Sequence, residues 1–360
     1  MFQKVKEIIS KYWINMDILR DKHNNNNNND DLIISYEYPN LIEHKSISDD
    51  NVYIFGSKSE YDDIKELSLF YYKHNAYPTG DKIRVSIELI TKFLNINSLI
   101  INIRKKQKIC GSVINILIPI QINNIEYSSS FQFDENKTMK FYNTSYLINK
   151  EKYRGKGFGM YLIQKSCQLA HKDEFRVAYF LNTKSRCINS IPIQSWTFNV
   201  NINIDLDGTI KIVKVDKNNF DIFYDFYTHS TKNKTFVFQP NKEYWHKFYN
   251  TFDVYCVIQN DKIIGCFSFF IYKNYVLSCL LDINVCNRFF CIGKQPETLL
   301  SMLKTSKKYG CHIFMLLEYG EIDNKLLESI SAIKNNYPCF INFYNFKLKL
   351  NPQDIEIPLL

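Results

Sequence analysis

The stretch at positions 141–171, FYNTSYLINKEKYRGKGFGMYLIQKSCQLAH, restricts the fold more than any other part of the chain. Its opening residues alternate apolar and polar positions as a half-buried strand does. Then comes Tyr153-Arg154-Gly155-Lys156-Gly157-Phe158-Gly159, a glycine turn carrying two fixed cations. Beyond it, Phe158, Tyr161, Leu162, Gln164 and Leu169 fit a helix with one apolar face. Strand, glycine turn and helix together aim backbone N–H groups and a helix N-terminus at an anion such as phosphate. The glycines let the backbone come close without Cβ contacts, and Arg154 and Lys156 add charge. A plain β-to-α turn with surface cations would use the same residues, so the turn alone leaves both readings open.

The remaining composition narrows the class. At 360 residues, with 45% apolar and 15% aromatic content, the chain can bury two domains or one large double one. Its excess of Ile, Asn, Lys, Tyr and Phe follows AT-rich coding, so single aromatics carry little weight. The longest apolar run, 263–272, suits a buried strand and is far short of the ~20 residues of a membrane span. The opening MFQKVKEIISKYW lacks the apolar core of a signal peptide, which leads to a cytoplasmic expectation. Ten scattered cysteines without a C-x-x-C pair read as reduced, buried thiols, and no metal is expected. The net charge of +8 is spread along the chain. Its one basic run, Arg104-Lys105-Lys106-Gln107-Lys108, reads as a solvated hairpin tip, not as a nucleic-acid patch. A positive balance equally suits a polyanionic cofactor.

Along the chain, residues 1–20 read as a short amphipathic segment and 24–29 as a low-complexity Asn tract. Ser59-Glu60-Tyr61-Asp62 reads as a capping box for a helix with Ile64, Leu67 and Phe70 or Tyr71 inward. A second helix is expected over 87–94, a hairpin over 99–103 and 109–116, and a further strand over 118–125. After the central stretch come a strand at 176–181 and a hairpin in VNINIDLDGTIKIVKV that turns at Asp207-Gly208. The second half repeats this order. Helices carry Phe220, Phe223, Tyr227 and then Tyr244, Trp245, Phe248, followed by a hairpin at 254–265, a helix at 297–309 and a strand at 311–317. A helix over 324–333 and a strand over 340–350 close the chain. Lys262-Ile263-Ile264-Gly265 echoes Lys108-Ile109-Cys110-Gly111 after the same pair of helices. Two fused copies of one unit account for this order. Only the first copy has the glycine turn, since Phe290-Cys291-Ile292-Gly293-Lys294-Gln295-Pro296 lacks its spacing.

Arg154, Gly157 and Gly159 spell R-x-x-G-x-G, which resembles the acyl-CoA pyrophosphate loop of the GNAT N-acyltransferase superfamily. A tandem of such lobes with one loop resembles the glycylpeptide N-tetradecanoyltransferase (N-myristoyltransferase) family over most of the chain. Tyr12-Trp13 sits where that family has an aromatic-Trp pair gripping acyl-CoA. Ile83-Arg84-Val85 resembles its F-R-F, and Ser145-Tyr146-Leu147-Ile148 its N-F-L-C, from which the alignment runs without gaps to Met160. Trp196 falls on the Trp of C-R-Y-W-H, Tyr344-Asn345-Phe346-Lys347 resembles Y-N-W-K, and both chains end in an apolar tail. The resemblance implies an α+β fold of two GNAT-like lobes with pseudo-twofold symmetry and mostly antiparallel mixed sheets flanked by helices. Residues 1–31 would be the gripping segment, 32–209 the acyl-CoA lobe and 210–360 the peptide lobe.

It also implies a chemistry. Myristoyl-CoA would be the co-substrate, bound by Tyr12, Trp13, Tyr146, Leu147, Ile148 and the turn Arg154, Gly155, Lys156, Gly157, Phe158 and Gly159. The main-chain N–H groups of Tyr146 and Leu147 would receive the oxyanion, provided that a bulge takes them out of the strand ladder. The α-carboxylate of Leu360 would be the base for an N-terminal glycine amine. In water that transfer is uphill by roughly four pKa units, about 6 kcal/mol, and burial among Ile357, Pro358 and Leu359 narrows the gap. Peptide contacts fall on Asp81, Ile83, Val85, Trp196 and Glu318. Several positions depart from the family. Leu181 stands for a relay Thr, leaving water or Thr183 to carry the proton, Thr197 for a His and Ser145 for an Asn. The expectation is a monomeric cytoplasmic protein N-myristoyltransferase without nucleic-acid or membrane partners. A GNAT acetyltransferase and a degenerate acyl-CoA binder are its alternatives.

Overall fold

In the computed structural model the described residues are 47, 49–55, 61–74, 82–123, 138–172, 177–182, 190–276, 281–336, 339–344, 346, 348 and 350–359. The first half runs β1 (Val52–Phe55), α1 (Tyr61–His74), β2 (Lys82–Arg84), α2 (Ile87–Asn95), β3 (Ser98–Lys105), β4 (Lys108–Ile122) and β5 (Thr138–Asn149). It continues through α3 (Phe158–Lys172), β6 (Val177–Asn182), β7 (Ser190–Ile193) and β8 (Ser195–Asn199). The second half runs β9 (Ile210–Lys214), α4 (Phe220–Thr231), β10 (Phe236–Phe238), α5 (Lys242–Thr251), β11 (Val254–Gln259), β12 (Lys262–Val276), β13 (Leu281–Gly293) and α6 (Glu297–Lys308). After it come β14 (Ile313–Leu317), α7 (Asn324–Ser329), β15 (Ile333–Lys334), β16 (Cys339–Tyr344) and β17 (Ile355–Glu356).

The repeat is real down to its register. Hairpins β3–β4 and β11–β12 both turn on two residues in the left-handed region, Lys106-Gln107 and Asn260-Asp261, the geometry that matches strand twist. Both carry a bulge at the same place, Ile103/Arg104 and Val257/Ile258. The helix before each hairpin is capped by a side chain at its start, Ser86 on Leu89 N–H and Asn241 on Tyr244 N–H, worth about 1 kcal/mol apiece. The halves also trade strands. β10 adds to the far end of β4, and β2 adds to the far end of β12. β16 pairs with β6, and β8 with β14. The described sheets thus hold nine and eight strands, each built from both halves.

This exchange fuses the cores. Phe93 of the first half meets Phe252 of the second, and Phe141 meets Phe236 and Phe346. Trp245 is fully buried among Phe223, Tyr227, Phe238 and Phe290. The expected α+β architecture, two fused units that repeat one order of elements with mixed sheets flanked by helices, is the one found.

Several local expectations need correction. The strand expected at 118–125 is the continuation of β4, which passes through Pro119 without a break. Pro119 sits between Ile116, which faces the first residue of β3, and Ile120, which faces the last residue of β10, where no ladder N–H is required. The segment from Val200 to Val215 is not a hairpin, because β8 pairs with β14 and β15 while β9 pairs with β11. The helix expected over 324–333 ends at Ser329, just before Ser331 turns left-handed at φ +59°. The strand expected over 340–350 ends at Tyr344. Arg104 is not at the solvated tip: it is buried and ion-paired to Asp63 (3.0 Å) and Glu66 (2.8 Å) on α1. The eight described cysteines are all unpaired, and seven are buried, as expected. No described helix is long and apolar enough to cross a membrane.

Candidate active site

The site begins with an interruption in β5. That strand pairs with β4 from Thr138/Gln121 up to Ser145/Ile114, and again at Ile148/Ser112 and Asn149/Gly111. Between these, Val113 faces two residues, Tyr146 and Leu147. Tyr146 is left-handed at φ +52°, which costs a residue with a side chain of order 1 kcal/mol. Packing holds it there, with its ring edge-on to Tyr71 at 6.0 Å and against Phe93 at 6.2 Å. The bulge that the oxyanion donors require is present at these two residues.

Just below the bulge, two parallel strands part. β5 and β6 pair only from Phe141/Val177 to Asn143/Tyr179. Beyond that point β6 continues on β16, while β5 keeps only β4. The last paired residues, Asn143 and Tyr179, both donate to the carbonyl of Pro358, at 3.2 and 2.8 Å. Asn143 in turn accepts from Ser145 Oγ at 2.8 Å. Ile357, Pro358 and Leu359 are buried, so the tail enters the fork between the strands, where the last β5 residue paired to β6, Asn143, precedes the bulge by three residues. Burial pushes the Tyr179 hydroxyl well above its ordinary range, which keeps it a proton donor to that carbonyl.

Above the bulge lies the glycine turn. A short turn at Glu151–Tyr153 leads to Gly155 and Gly157, left-handed at φ +72° and +82°, and α3 follows at once. No acidic side chain occupies the first turn of α3, so its dipole and amides are not neutralised from within that turn. Gly159 has a packing role as well. A Cβ there would lie 3.0 Å from Asn149 Nδ2, and one at Gly111 2.3 Å from Asn149 Oδ1. The Asn149 side chain is wedged between strand and helix, and its Oδ1 has no hydrogen-bond partner among the described residues. Arg154 braces the turn, donating to Asn149 O at 3.3 Å and to His74 O, at the end of α1, at 3.0 Å. Partial burial, followed by the charges of Lys150, Arg154 and Lys73, holds His74 below its ordinary pKa, and it is neutral at pH 7.

The sequence-derived residues divide accordingly. Tyr146, Leu147, Ile148 and the turn 154–159 follow one another at the end of β5, past its last pair with β6. Val85 is buried in the shared core (1% exposed), and Ile83 lies in β2, paired to Asn274 of β12. Trp196 is buried in the separate core of the second sheet, and Glu318 follows β14 with its N–H on Gln194 O. Tyr12, Trp13, Asp81, Thr183 and Leu360 lie outside the described residues. Asn143, Tyr179 and His74 carry no motif and were not expected. Asn143, an amide on the apolar face of an aromatic strand, is the one signal that could have been read.

This fold is found among solved structures. It is shared with Saccharomyces cerevisiae N-myristoyltransferase with bound myristoyl-CoA, at a TM-score of 0.69, 13% identity and coverage of 89% of this chain and 94% of that one. A structure of the same yeast protein with myristoyl-CoA and inhibitors gives 0.70 at 11% identity, over 91% of each chain. No protein-family model matches the chain, nor does any curated protein sequence.

Proposed function

We propose that the chain is an acyl-CoA-dependent N-acyltransferase that moves a myristoyl group from myristoyl-CoA to the N-terminal glycine amine of client proteins. One observation carries this reading: the bulge at Tyr146-Leu147 stands between the glycine turn and the fork that holds Pro358. Those parts match the three needs of the reaction, namely an anion cradle for the nucleotide, donors for an oxyanion and a base at the chain end. The amine attacks the thioester carbonyl, whose oxygen becomes the oxyanion held by the Tyr146 and Leu147 amides. The carboxylate of Leu360 takes the amine proton, and the CoA thiolate leaves and is reprotonated, without an acyl-enzyme. The unpaired cysteines fit a cytoplasmic protein, which we read as a monomer.

Labelled myristoyl-CoA incubated with the protein and a panel of peptides beginning with Gly tests this reading. Label on the peptide amine is expected, with acetyl-CoA a poorer donor. Binding of myristoyl-CoA without transfer to any peptide would leave an acyl-CoA binder and sink the enzyme. Preferred transfer from acetyl-CoA would make it an acetyltransferase.

A further inference from the structure

The tail that reaches the fork carries one acidic side chain in an otherwise apolar run, Ile355-Glu356-Ile357-Pro358-Leu359. Glu356 is fully buried. Its Oε1 accepts from the N–H of Cys291 at 3.2 Å, next to the bulge of β13 at Phe289. Its Oε2 has no hydrogen-bond partner among the described residues. It lies where a Cβ on Gly320 would be 2.1 Å away, so the glycine, left-handed at φ +68°, makes room for the carboxylate. The charge that answers it belongs to Arg288 on β13, also buried (2% exposed). The Arg288 guanidinium lies 3.7 Å over the ring of Tyr319 and donates to the carbonyls of Tyr319 and Leu317. Tyr319 closes the set by donating its hydroxyl to the carbonyl of Ile357 at 2.9 Å.

Burying both charges is costly, and apolar residues of similar volume would generally pack as well or better. What the buried carboxylate supplies instead, anchored on the Cys291 N–H with the Arg288 charge answering it at longer range, is register. β17 has only two residues, paired in parallel with Phe236 and Val237 of β10. So short a strand fixes its own alignment weakly, and a one-residue slip turns every side chain to the opposite face. With Glu356 present, a slip would put an isoleucine against the Cys291 N–H and Arg288, and the carboxylate into the apolar core. A slip would also move the chain end by about 3.3 Å. Productive attack needs reacting atoms within about 3–3.5 Å, so that displacement disables a base placed four residues later.

We propose that Glu356 and Arg288, with Tyr319, are positioning residues: a buried clamp that sets the register of the last strand and so presents the terminal carboxylate to the Tyr146-Leu147 bulge. This rests on the reading of that carboxylate as the base. Burial raises the Glu356 carboxyl to about 7 against the lowering effect of Arg288, with Glu321 raising it further and Lys234 and the Cys291 N–H lowering it. The carboxyl is therefore about half protonated at neutral pH and charged above it.

Two variants test it. Glu356→Gln keeps an acceptor for Cys291 and removes the charge. The double variant Arg288→Met/Glu356→Leu replaces the pair with apolar volume and is expected to fold at least as well as the parent. Both should bind myristoyl-CoA within twofold of the parent and keep the peptide KM, while kcat falls at least tenfold. Amide hydrogen exchange at Ile357 and Leu359 should quicken at least tenfold in both. A purely structural role would lower the melting temperature and acyl-CoA binding together. Parent-like kcat and exchange in the double variant would overturn the clamp. A third protein, extended by two residues after Leu360, separates the clamp from the reading beneath it. Full turnover by that protein removes the terminal base, whereas loss of turnover there with parent-like clamp variants removes the clamp alone. If no peptide is acylated even by the parent, the exchange rates still decide whether the clamp fixes the tail.

Discussion

The two lobes meet their helices in opposite ways. In the first, β5 leads through Gly155 and Gly157 into α3, whose first turn has no acidic residue, with Lys156 beside it and Arg154 tied back to α1. In the second, β13 leads through Gly293 and Pro296 into α6, whose first residue is Glu297, ion-paired to Lys294 at 2.6 Å. There the chain fills its own anion positions. Glu321 accepts from Gly293 N–H at 2.8 Å, and Glu356 from Cys291 N–H at 3.2 Å. The same strand–turn–helix unit thus keeps carboxylates off the first turn of its helix in the lobe where we propose the ligand site, and draws them in within the other. Where they come in, the same amides hold the protein together.

The largest test of that contrast is the cost of the internal carboxylate. Glu356 has a folded pKa of about 7 against an unfolded value near 4.5, so the folded state binds the extra proton between these values. Stability from this group is full below about pH 4.5 and is lost as pH rises through 7. The shift corresponds to about 3 kcal/mol by linkage. Urea melts between pH 5 and 8 should show this loss in the parent and not in Glu356→Gln, which should be the more stable of the two at pH 8. Equal slopes for both would mean that another group controls the pH response.

A smaller effect separates ligand cost from folding cost at the glycines. Valine at Gly157 must adopt φ +82°, a strain of about 1–3 kcal/mol that the exposed turn relieves by rearranging. Myristoyl-CoA affinity should fall roughly 30-fold, about 2 kcal/mol, with little change in melting temperature. Gly293→Val should do the reverse in the second lobe. Its Cβ would meet Ile264 O at 2.4 Å and the backbone of Gly265 at 2.5 Å, at φ +114°, so the sheet must move. Calorimetry of binding and thermal melts on the two variants would expose any failure of this split.

How much of this was legible beforehand follows from what each feature depends on. The glycine turn was readable because φ > 0 and close approach both demand glycine in a short local string. Paired helices and hairpins were readable because Ile64, Leu67 and Phe70, or Phe220, Phe223 and Tyr227, follow a local period. The exchange of β2 with β10 and of β8 with β16 was not, since partner choice between strands far apart in sequence leaves no local mark. That is why 200–215 read as a hairpin, although β8 just before it and β9 within it join opposite sides of a sheet. The Pro358 fork and the Arg288–Glu356 clamp were hidden for the same reason. Each is a meeting of residues from three or four elements, and only the lone acid in the apolar tail hinted at one of them.

The smallest expected effect concerns protons at the open lobe. His74 stays neutral at pH 7 because its partial burial and the cations Lys150, Arg154 and Lys73 all disfavour its charged form. A polyphosphate on the glycine turn would screen those same cations and favour the imidazolium. Binding should therefore take up part of a proton, and affinity should rise a few-fold as pH falls from about 7.5 to 6. CoA carries phosphates that titrate over this range, so the informative quantity is the difference between the parent and His74→Gln. Isothermal titration in two buffers of unlike ionisation enthalpy gives that difference as protons per ligand. A lower uptake in His74→Gln places the anion within reach of α1 and the turn together. Identical uptake would mean that the ligand charge sits elsewhere, and the contrast between an open and a sealed lobe would lose its ligand.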